Sequence, residues 1–455
     1  AAKVASSGAF AIGAAGTASS IAGLPIYVDS TNGSVYTHDV SGTDDTAQNN
    51  TAFGLNAADA ITTADSVTVF GKSAGSAITT ASSSTFFGKE AGLAVTEGTN
   101  NIFMGVNAGH DVTTGGSNIA IGATAYDGCD TENDNIAIGR DALGGPLAGS
   151  EYNVVIGNYA ADALTSGDHN VIIGDNAGTD MTTAGQNVLV GSYAGPNLTT
   201  GATQRVHLIG YASGFYMTSE SYNIGIGNSS LGGANINGAE YNVAIGAFTG
   251  DALTTGDYNV LIGYNTGDSM TSGQKNVCVG VNAGSGVTTA DNCTFVGNNA
   301  GFDAMRSTST GDGDLVVGNN STANAFVKVS FNVGSDMRDK TDIEDLPSAA
   351  GLNFINQIRP VTYVWDNRDN YYPHAHEKYG WRDHSKKSTK VHTGFVAQEI
   401  KELEKSIGWE DDHIVDTSDE KSFTLKYDRF VPSLVKAVQE LSAQVEELKT
   451  KLKEA

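Results

Sequence analysis

Two residues five positions apart, Ser335 and Lys340, have side chains suited to nucleophilic chemistry. A serine hydroxyl is a weak nucleophile until a neighbouring base accepts its proton. A lysine amine serves as that base when removal from water keeps part of it neutral, and the Ser–Lys pair is a known variant of the Ser–His–Asp arrangement. The spacing alone is weak evidence, because a surface turn with a solvated lysine has the same sequence. The residue types predict acyl-transfer chemistry if the fold brings the two side chains together.

The pair lies where the composition of the chain changes sharply. All but four of the 56 glycines precede Ser335, and all three tryptophans follow it. A change this abrupt marks a domain boundary, and 455 residues are enough for two or three domains. We expect a connecting segment at residues 1–50, with a hairpin turn at Asn32-Gly33. A repetitive shaft at 51–325 and a separate domain at 326–455 should follow.

A glycine preceded by an apolar residue recurs along the shaft, in most cases every 17 residues. The glycines are Gly54, Gly71, Gly88, Gly105, Gly122, Gly139, Gly157, Gly174, Gly191, Gly210, Gly227, Gly246, Gly263, Gly280, Gly297 and Gly318. One repeat of this length is too short to bury its own apolar face, whereas stacked copies bury a continuous core. The pattern predicts a mainly β fold, a parallel β-solenoid whose coils, at about 4.8 Å each, form a rod roughly 70 Å long.

The copy at residues 170–186 shows what each position is expected to do. Val171 and Ile173 share one face of a strand, and we expect that face to point inward. Gly174 is expected at a tight bend, and Met181 is expected to be a second apolar anchor. Asparagine recurs four residues before the glycine in most copies, which predicts a hydrogen-bonded ladder along the rod.

These repeats resemble the head repeats of trimeric autotransporter adhesins and the glycine-rich repeats of phage tail-fibre proteins. The resemblance covers about residues 51–320. It implies a trimer and an extracellular role as an adhesive surface or a spacer.

Four motifs follow the shaft in order. They are residues 335–343 (Ser-Asp-Met-Arg-Asp-Lys-Thr-Asp-Ile), 359–365 (Arg-Pro-Val-Thr-Tyr-Val-Trp), 392–399 (His-Thr-Gly-Phe-Val-Ala-Gln-Glu) and 427–432 (Tyr-Asp-Arg-Phe-Val-Pro). Together they resemble the endosialidase-type intramolecular chaperone domain, the self-cleaving C-terminal module of phage tailspikes and tail fibres. The resemblance covers about residues 330–455. It implies that the module trimerises, helps the upstream shaft to fold and then cuts the chain just before the serine.

Carried over to this chain, the resemblance makes Ser335 the nucleophile, Lys340 the base and Gly334–Ser335 the scissile bond. The candidates for supporting roles are Asp336, Arg338 and His392. For His392, a packed structural role explains the residue as well as a role in orienting the pair does.

The remaining sequence of this region favours a small α+β domain. Pro347 suits the first turn of a helix that would run to about Ile358, and apolar alternation predicts a strand at 361–365. A second helix is predicted at 396–407, ended by Gly408. Residues 431–455 have apolar side chains spaced alternately by four and three, the seam of a coiled coil. The seam residues are Leu434, Val438, Leu441, Val445, Leu448 and Leu452. The order of valine and leucine along the seam does not distinguish a two-stranded from a three-stranded coiled coil. The resemblance of the repeats to trimeric proteins favours three helices.

Charge and composition exclude several kinds of partner. A net charge of −25 repels phosphates, which argues against nucleic acid and anionic membrane surfaces. No stretch approaches the roughly 18 apolar residues of a membrane helix. No cofactor is expected, and no metal, because the histidines at 374, 376 and 384 lack a third ligand at zinc spacing. The three cysteines, Cys129, Cys278 and Cys293, are expected to be packed side chains.

Other functions of such a rod have weaker support in the sequence. A recurring threonine pair, as in Thr182-Thr183, suggests an ice-binding face. Adjacent strand residues point in opposite directions, so only one threonine per coil would face outward, which argues against ice binding. Calcium-binding nonapeptide repeats would need several closely spaced Gly-Gly-x-Gly-x-Asp units. The chain has one similar stretch, at residues 311–314. A polysaccharide-degrading enzyme needs two facing carboxylates. The loops carry single ones, which a solvated acidic surface also explains, including Asp168, Asp175, Asp180 and Asp257.

The expected function is a trimeric phage tail fibre or virion appendage for host attachment, whose one enzymatic activity is its own cleavage. The alternatives are a cell-surface adhesin, which should carry a membrane anchor, and a polysaccharide-degrading tailspike. The expected partners are further copies of the chain, an upstream virion or tail component and a host-surface glycan or other receptor. The glycan would bind at the loops that lengthen the repeat, residues 199–204 and 232–240. The tyrosines near these loops either stack on sugars or pack between coils, and they are Tyr193, Tyr211, Tyr216, Tyr222 and Tyr241.

Overall fold

The structure is a computed structural model. It describes residues 19–21, 24–29, 31–37, 46–199, 205–233, 236, 238–302, 312–319, 321–322, 326, 328, 335–366, 384–385, 387–409, 413–417 and 423–454. The chain divides into two compact units. The solenoid unit is Ala1–Val296 with Asp312–Leu315, and the C-terminal unit is Gly297–Gly311 with Val316–Ala455.

The solenoid unit begins with three antiparallel strands, β1 (Ser19–Ile21), β2 (Leu24–Asp29) and β3 (Ser34–Tyr36). The Asp29 carboxylate accepts hydrogen bonds from the backbone nitrogens of Thr31 and Asn32, and Gly33 has a φ of +72°. These contacts form the turn, so the predicted hairpin is confirmed. Strand β3 also pairs in parallel with the first coil strand, which joins the hairpin to the ladder.

Short strands of three residues, one in each coil, form the ladder of the solenoid. They are β4 (Thr51–Phe53), β5 (Thr68–Phe70), β6 (Thr85–Phe87), β7 (Ile102–Met104), β8 (Ile119–Ile121), β9 (Ile136–Ile138), β10 (Val154–Ile156), β11 (Val171–Ile173), β12 (Val188–Val190), β13 (His207–Ile209), β14 (Ile224–Ile226), β15 (Val243–Ile245), β16 (Val260–Ile262), β17 (Val277–Val279) and β18 (Thr294–Val296). Each pairs in parallel with the next at equivalent positions, even across the longer repeat, where Val188 pairs with His207. The turns therefore absorb the extra residues, and the predicted parallel β-solenoid is confirmed. One more strand, β19 (Leu315–Val317), follows.

The strand face that points into the coil is the opposite of the predicted one. Ile172, the middle residue of β11, is fully buried, while Val171 and Ile173 are only partly buried. The expectation that Val171 and Ile173 point inward was wrong, because a three-residue strand here has one inward position and its two ends share the outer face. Met181 is fully buried, as predicted. Each coil therefore buries one strand residue and one anchor from its turns.

Buried asparagines connect the coils in two ladders, and Asn259 shows the pattern. Its Oδ1 accepts a hydrogen bond from the backbone nitrogen of Asn276 at 3.0 Å, and its Nδ2 donates to the carbonyl oxygen of Gly273 at 2.8 Å and to Asn242 Oδ1 at 3.0 Å. The amide is thus satisfied inside an apolar core, and the predicted asparagine ladder is confirmed. The ladders run through Asn101, Asn118, Asn135, Asn153, Asn170 and Asn187, and through Asn223, Asn242, Asn259 and Asn276.

The repeated glycine is required by the approach of neighbouring coils. Gly174 has a φ of +148°, and a Cβ placed on it would lie 2.3 Å from the carbonyl oxygen of Gly191. A side chain at this position would therefore push adjacent coils apart. The glycine permits the stacking as well as the bend.

The described residues of the C-terminal unit form three α-helices and two short sheets. Helix α1 (Leu352–Gln357) follows a 3-10 turn (Ser348–Ala350); β20 (Val361–Val364) pairs antiparallel with β21 (Val391–Gly394). Helix α2 (Ala397–Ser406) is followed by β22 (Val415–Asp416), which pairs antiparallel with β23 (Thr424–Leu425), and then by α3 (Phe430–Glu454). The predicted helices and strand are present. Pro347 was predicted in the first turn of the first helix, but it precedes a separate 3-10 turn, and α1 begins at Leu352. Gly408 follows α2 with a φ of +81°.

A small core and one helix cap hold this unit together. The core consists of Phe354, Ile400, Ile414, Val415 and Phe430. The carboxylate of Glu440 on α3 accepts a hydrogen bond from the backbone nitrogen of Leu352 at 2.8 Å, which caps the start of α1. A Cβ on Gly351 would lie 2.6 Å from this carboxylate, so glycine leaves room for the cap.

Candidate functional site

A hydrogen bond joins the serine and the lysine. Lys340 Nζ donates to Ser335 Oγ at 2.7 Å. A one-turn 3-10 helix, Met337–Asp339, lies between them and reverses the chain enough for residues five apart to meet. The pair proposed from the sequence is therefore assembled by local structure.

Asp336 and Arg338 stabilise this turn. Asp336 Oδ1 accepts a hydrogen bond from the backbone nitrogen of Arg338 at 2.9 Å, as an N-cap. The same carboxylate binds the Arg338 guanidinium at 2.5 Å, which lowers the pKa of Asp336 and raises the pKa of Arg338. Exposed ion pairs contribute little to overall stability. The contact instead fixes the geometry of the segment that carries the Ser–Lys pair.

The Ser–Lys pair is exposed in the single chain. Every residue from 335 to 345 is exposed to solvent. A lysine acts as a base only where desolvation leaves part of it neutral, so acyl transfer by this pair requires that these residues be covered. Gly334, the other residue of the predicted scissile bond, lies outside the described residues.

The described histidines that the sequence singled out lie in different parts of the domain and contact different residues. His392 lies on β21, where its ring stacks on Tyr363 with centroids 5.7 Å apart. The hydrogen bond of the Ser–Lys pair does not include His392, so the geometry favours a packed structural role. His384 Nδ1 lies 2.5 Å from the Asp366 carboxylate, and the histidines at 374 and 376 lie outside the described residues.

The motifs downstream of the Ser–Lys pair contact one another. Arg359 of the second motif forms an ion pair with Glu399 of the third, which lowers the pKa of Glu399. Phe395 of the third motif stacks against Tyr427 of the fourth with centroids 5.9 Å apart. Motifs separated in the sequence thus form one structural unit.

Helix α3 leaves its apolar seam uncovered. The seam residues Leu434, Val438, Leu441, Val445, Leu448 and Leu452 are all exposed, Leu441 by 50% of its surface. A regular apolar seam on an exposed helix is typical of a strand of a coiled coil.

The solenoid has a second uncovered apolar surface, which we call the outward strand face. It consists of the first and third residues of strands β4 to β18. At its start Phe53, Phe70 and Phe87 stack in order, with centroids 4.9 and 5.1 Å apart, and Phe87 is 52% exposed. Methionine, isoleucine or valine occupies the third position from β7 to β18. The strand ends are exposed in part of the ladder and half-buried in strands such as β9 to β12. Accessible apolar surfaces mark sites of interaction, and the sequence interpretation missed this one by assigning Val171 and Ile173 to the interior.

Two of the carboxylates considered for glycan hydrolysis connect coils instead. Asp168 Oδ1 accepts a hydrogen bond from the backbone nitrogen of Glu151 at 2.8 Å, and Asp257 Oδ1 accepts one from Glu240 at 2.8 Å. Aspartate two residues ahead of the ladder position was the sequence signal for this role. Asp175 and Asp180 remain exposed.

The tyrosines near the long loops form two different arrangements. Tyr222, Tyr241 and Tyr258 stack along the ladder with centroids 4.9 and 5.0 Å apart and ring planes within 4° of parallel. Tyr211, Tyr193, Phe215 and Tyr216 instead form a cluster of inclined rings, in which each ring contacts the next in that order.

Two further observations concern the hydropathy of the helices and the burial of the cysteines. Within the described ranges, no helix has the length and apolar character needed to cross a membrane. The three cysteine thiols are buried, and burial raises the pKa of Cys278 to about 12.

Comparison with known families identifies the region that contains the Ser–Lys pair. Residues 335–408 match the family described as chaperone of endosialidase, a family of auto-processing chaperones. The match begins at Ser335 and includes Lys340, Arg359 and Glu399. The chain therefore carries an endosialidase-chaperone domain together with a β-solenoid. Searches of curated proteins and of solved structures found no match.

Proposed function

We propose that this protein is a homotrimeric virion fibre for host attachment, whose chaperone domain cleaves itself from the shaft at Gly334–Ser335. The observation that carries the proposal is the 2.7 Å hydrogen bond between Lys340 Nζ and Ser335 Oγ, at the first residue of the matched domain. Self-cleavage is the enzymatic activity proposed, and it needs no cofactor.

The chemistry follows from the position of the serine directly after the scissile bond. Neutral Lys340 takes the proton of Ser335 Oγ, and the oxygen attacks the carbonyl carbon of Gly334. The peptide C–N bond breaks, the nitrogen of Ser335 receives the proton from Lys340, and an ester joins Gly334 to the serine oxygen. Water then hydrolyses the ester and leaves a carboxylate on Gly334 and a free amine on Ser335.

Assembly would supply the desolvation that the exposed Ser–Lys pair lacks. The seam of α3 is apolar and exposed in one chain, and the outward strand face is largely apolar and partly exposed. In a symmetric oligomer each copy contributes the same surfaces, so copies of the chain are suitable partners for both. A neighbouring copy over residues 335–345 would keep Lys340 partly neutral. The endosialidase-chaperone family implies three copies, and cleavage would then follow trimer formation.

The order of these events suits a long solenoid. A one-residue slip of a strand reverses its faces, so three chains must meet in the correct register. Non-local β assembly is slow and prone to aggregation. A C-terminal coiled coil would align the chains first, and later cleavage would make the folded shaft kinetically trapped. The association of this chaperone family with phage tails supports placement in a virion.

Replacing the serine tests the proposed self-cleavage. Ser335→Ala removes the nucleophile and should leave the chain in one piece, while the wild type gives two fragments on a denaturing gel. Ser348→Ala, at another exposed serine of the same domain, is the matched control and should cleave as the wild type does. Cleavage of Ser335→Ala at the wild-type rate would show that another group is the nucleophile.

A further inference from the structure

Four aromatic side chains interrupt the regular surface of the solenoid at one place. Phe215 and Tyr216 occupy turn positions that hold small or polar residues in most other coils, such as Asp162 and Ala163. The ring of Tyr193 contacts that of Phe215, and the ring of Tyr211 contacts that of Tyr193, so the four rings form one aromatic cluster. Local departures from a repeat that the fold does not require are typical of functional sites.

The rings of this cluster are inclined to one another. Tyr193 meets Tyr211 at 78° and Phe215 at 48°, and Phe215 meets Tyr216 at 75°. Tyr193, Tyr211 and Tyr216 keep 37%, 56% and 44% of their surface exposed. In the Tyr222 stack the ring faces lie against neighbouring rings instead. The inclined cluster can therefore offer aromatic faces to a ligand, whereas the stack offers ring edges.

Polar groups complete a groove beside the rings, with a volume of about 510 Å³. Its lining includes Asp180, Asn197 and Thr218 as well as Tyr193 and Tyr216. Asn197 Nδ2 donates to the carbonyl oxygen of Phe215 at 2.6 Å, and this contact holds two adjacent coils together at the groove. The size lies within the range of small-ligand sites.

We propose that this groove binds a neutral saccharide of the host surface, an inference that rests on the attachment function proposed above. The apolar face of a pyranose ring lies against an aromatic ring, while its hydroxyl groups bind carboxylate, amide and hydroxyl oxygens. Among the described residues that line the groove, Asp180 is charged and no cation is present. An anionic sugar would therefore lack a partner and would be repelled by a chain of net charge −25.

The spacing of the rings argues against a quaternary ammonium ligand. A cage for such a cation holds it within about 6 Å of several ring centroids. The three neighbouring pairs of rings have centroids 4.9 to 6.3 Å apart, so each ring touches the next and no cation fits between the rings of a pair. The cluster is a surface on which a sugar ring can lie, and not a cage.

The groove lies outside the surface proposed for assembly. Its residues come from turns that follow the strands, whereas the outward strand face consists of strand residues. Trimer formation through that face is therefore compatible with a groove open to solvent.

A carbohydrate array tests whether the groove binds a neutral saccharide. The labelled protein is expressed as the whole chain and used as it assembles. The array carries neutral and anionic oligosaccharides, and phosphocholine is a separate probe. The groove variant combines Tyr193→Asn, Phe215→Asp and Tyr216→Ala, residues that other coils hold at these positions as Asn176, Asp162 and Ala163. The control is Tyr258→Asn, which removes a ring of the stack and places there the residue type of Asn292.

The wild type and the Tyr258→Asn control should bind neutral oligosaccharides, and the groove variant should bind at least about tenfold more weakly, because central aromatic anchors carry most of the energy of such contacts. Equal binding by the groove variant overturns the assignment, as does a wild type that binds only anionic sugars, only phosphocholine or none of the probes. Oligomer mass and cleavage are measured on the same preparations. If the wild type is trimeric and cleaved but binds no neutral sugar, the groove assignment fails and the proposed assembly and cleavage stand.

Discussion

Lys340 must lose a proton before it can act as a base, and this requirement distinguishes it from an arginine. Lys340→Arg keeps a positive charge and a hydrogen-bond donor near Ser335 but stays protonated. We expect this variant to assemble normally and to lose self-cleavage. The measurement is the fraction of cleaved chain over time on denaturing gels. Cleavage of Lys340→Arg at the wild-type rate would mean that the lysine only positions the serine.

The asparagine ladder gives a second test at the scale of single residues. Asn259→Ala leaves the backbone nitrogen of Asn276 and the carbonyl oxygen of Gly273 without their side-chain partner. A buried polar group left unsatisfied costs about 1–3 kcal/mol, so the unfolding midpoint in denaturant should fall clearly. Thr255→Ala, at an exposed position of the same coil region, should change it little. Equal midpoints for the two variants would contradict a stabilising ladder.

At the scale of single residues, the sequence indicated two contacts that the structure contains, the hydrogen bond between Lys340 and Ser335 and the asparagine ladder. The asparagine of the ladder recurs at a fixed period, so its spacing was enough to indicate the ladder. The spacing of Ser335 and Lys340 was weak evidence by itself, and the surrounding motifs singled out this pair. The coil-connecting role of Asp168 was not predicted. Its place two residues ahead of a ladder asparagine, shared with Asp257, was a usable signal, but only the stacking of the coils shows that it meets the backbone nitrogen of Glu151.

At the scale of the strand, the central question is which face points outward. The inward face could not be predicted because all three residues of β11 are apolar, and a pattern without alternation does not distinguish two faces. Burial decides it, since Ile172 is fully buried and Val171 and Ile173 are not. The helices were easier to predict, because the periodic apolar residues of α2 and the glycine at 408 indicate where the helix begins and ends.

A charge on the outward strand face tests whether that face is an interface. Ile262, the third residue of β16, is 37% exposed in one chain. Ile262→Glu should weaken assembly of the shaft, because a carboxylate would be buried without a partner between copies. Sedimentation of the purified variant should show a smaller or less stable oligomer, and Thr255→Glu should sediment like the wild type. If Ile262→Glu forms the same oligomer with the same stability, the face is not an interface.

At the scale of the whole molecule, the proposed cleavage depends on assembly through two apolar surfaces, the seam of α3 and the outward strand face. The sequence predicted the solenoid and the chaperone domain, since both depend on repeated or ordered motifs. The outward strand face and the aromatic groove could not be predicted in detail, because each is formed by residues from different coils that only stacking brings together. Residues 335–345 are exposed in the single chain, and the proposed cleavage therefore requires a partner chain to cover them.

The most direct test of this account is mass spectrometry of the wild type and of Ser335→Ala, under native and denaturing conditions. The account predicts native trimers for both proteins. Under denaturing conditions the wild type should give one fragment that ends at Gly334 and one that begins at Ser335, while Ser335→Ala gives the intact chain. Uncleaved wild-type chain should be found in monomers and freshly formed trimers, and cleaved chain only after trimers have formed. A wild type that remains monomeric, or that cleaves as a monomer, would contradict the central claim.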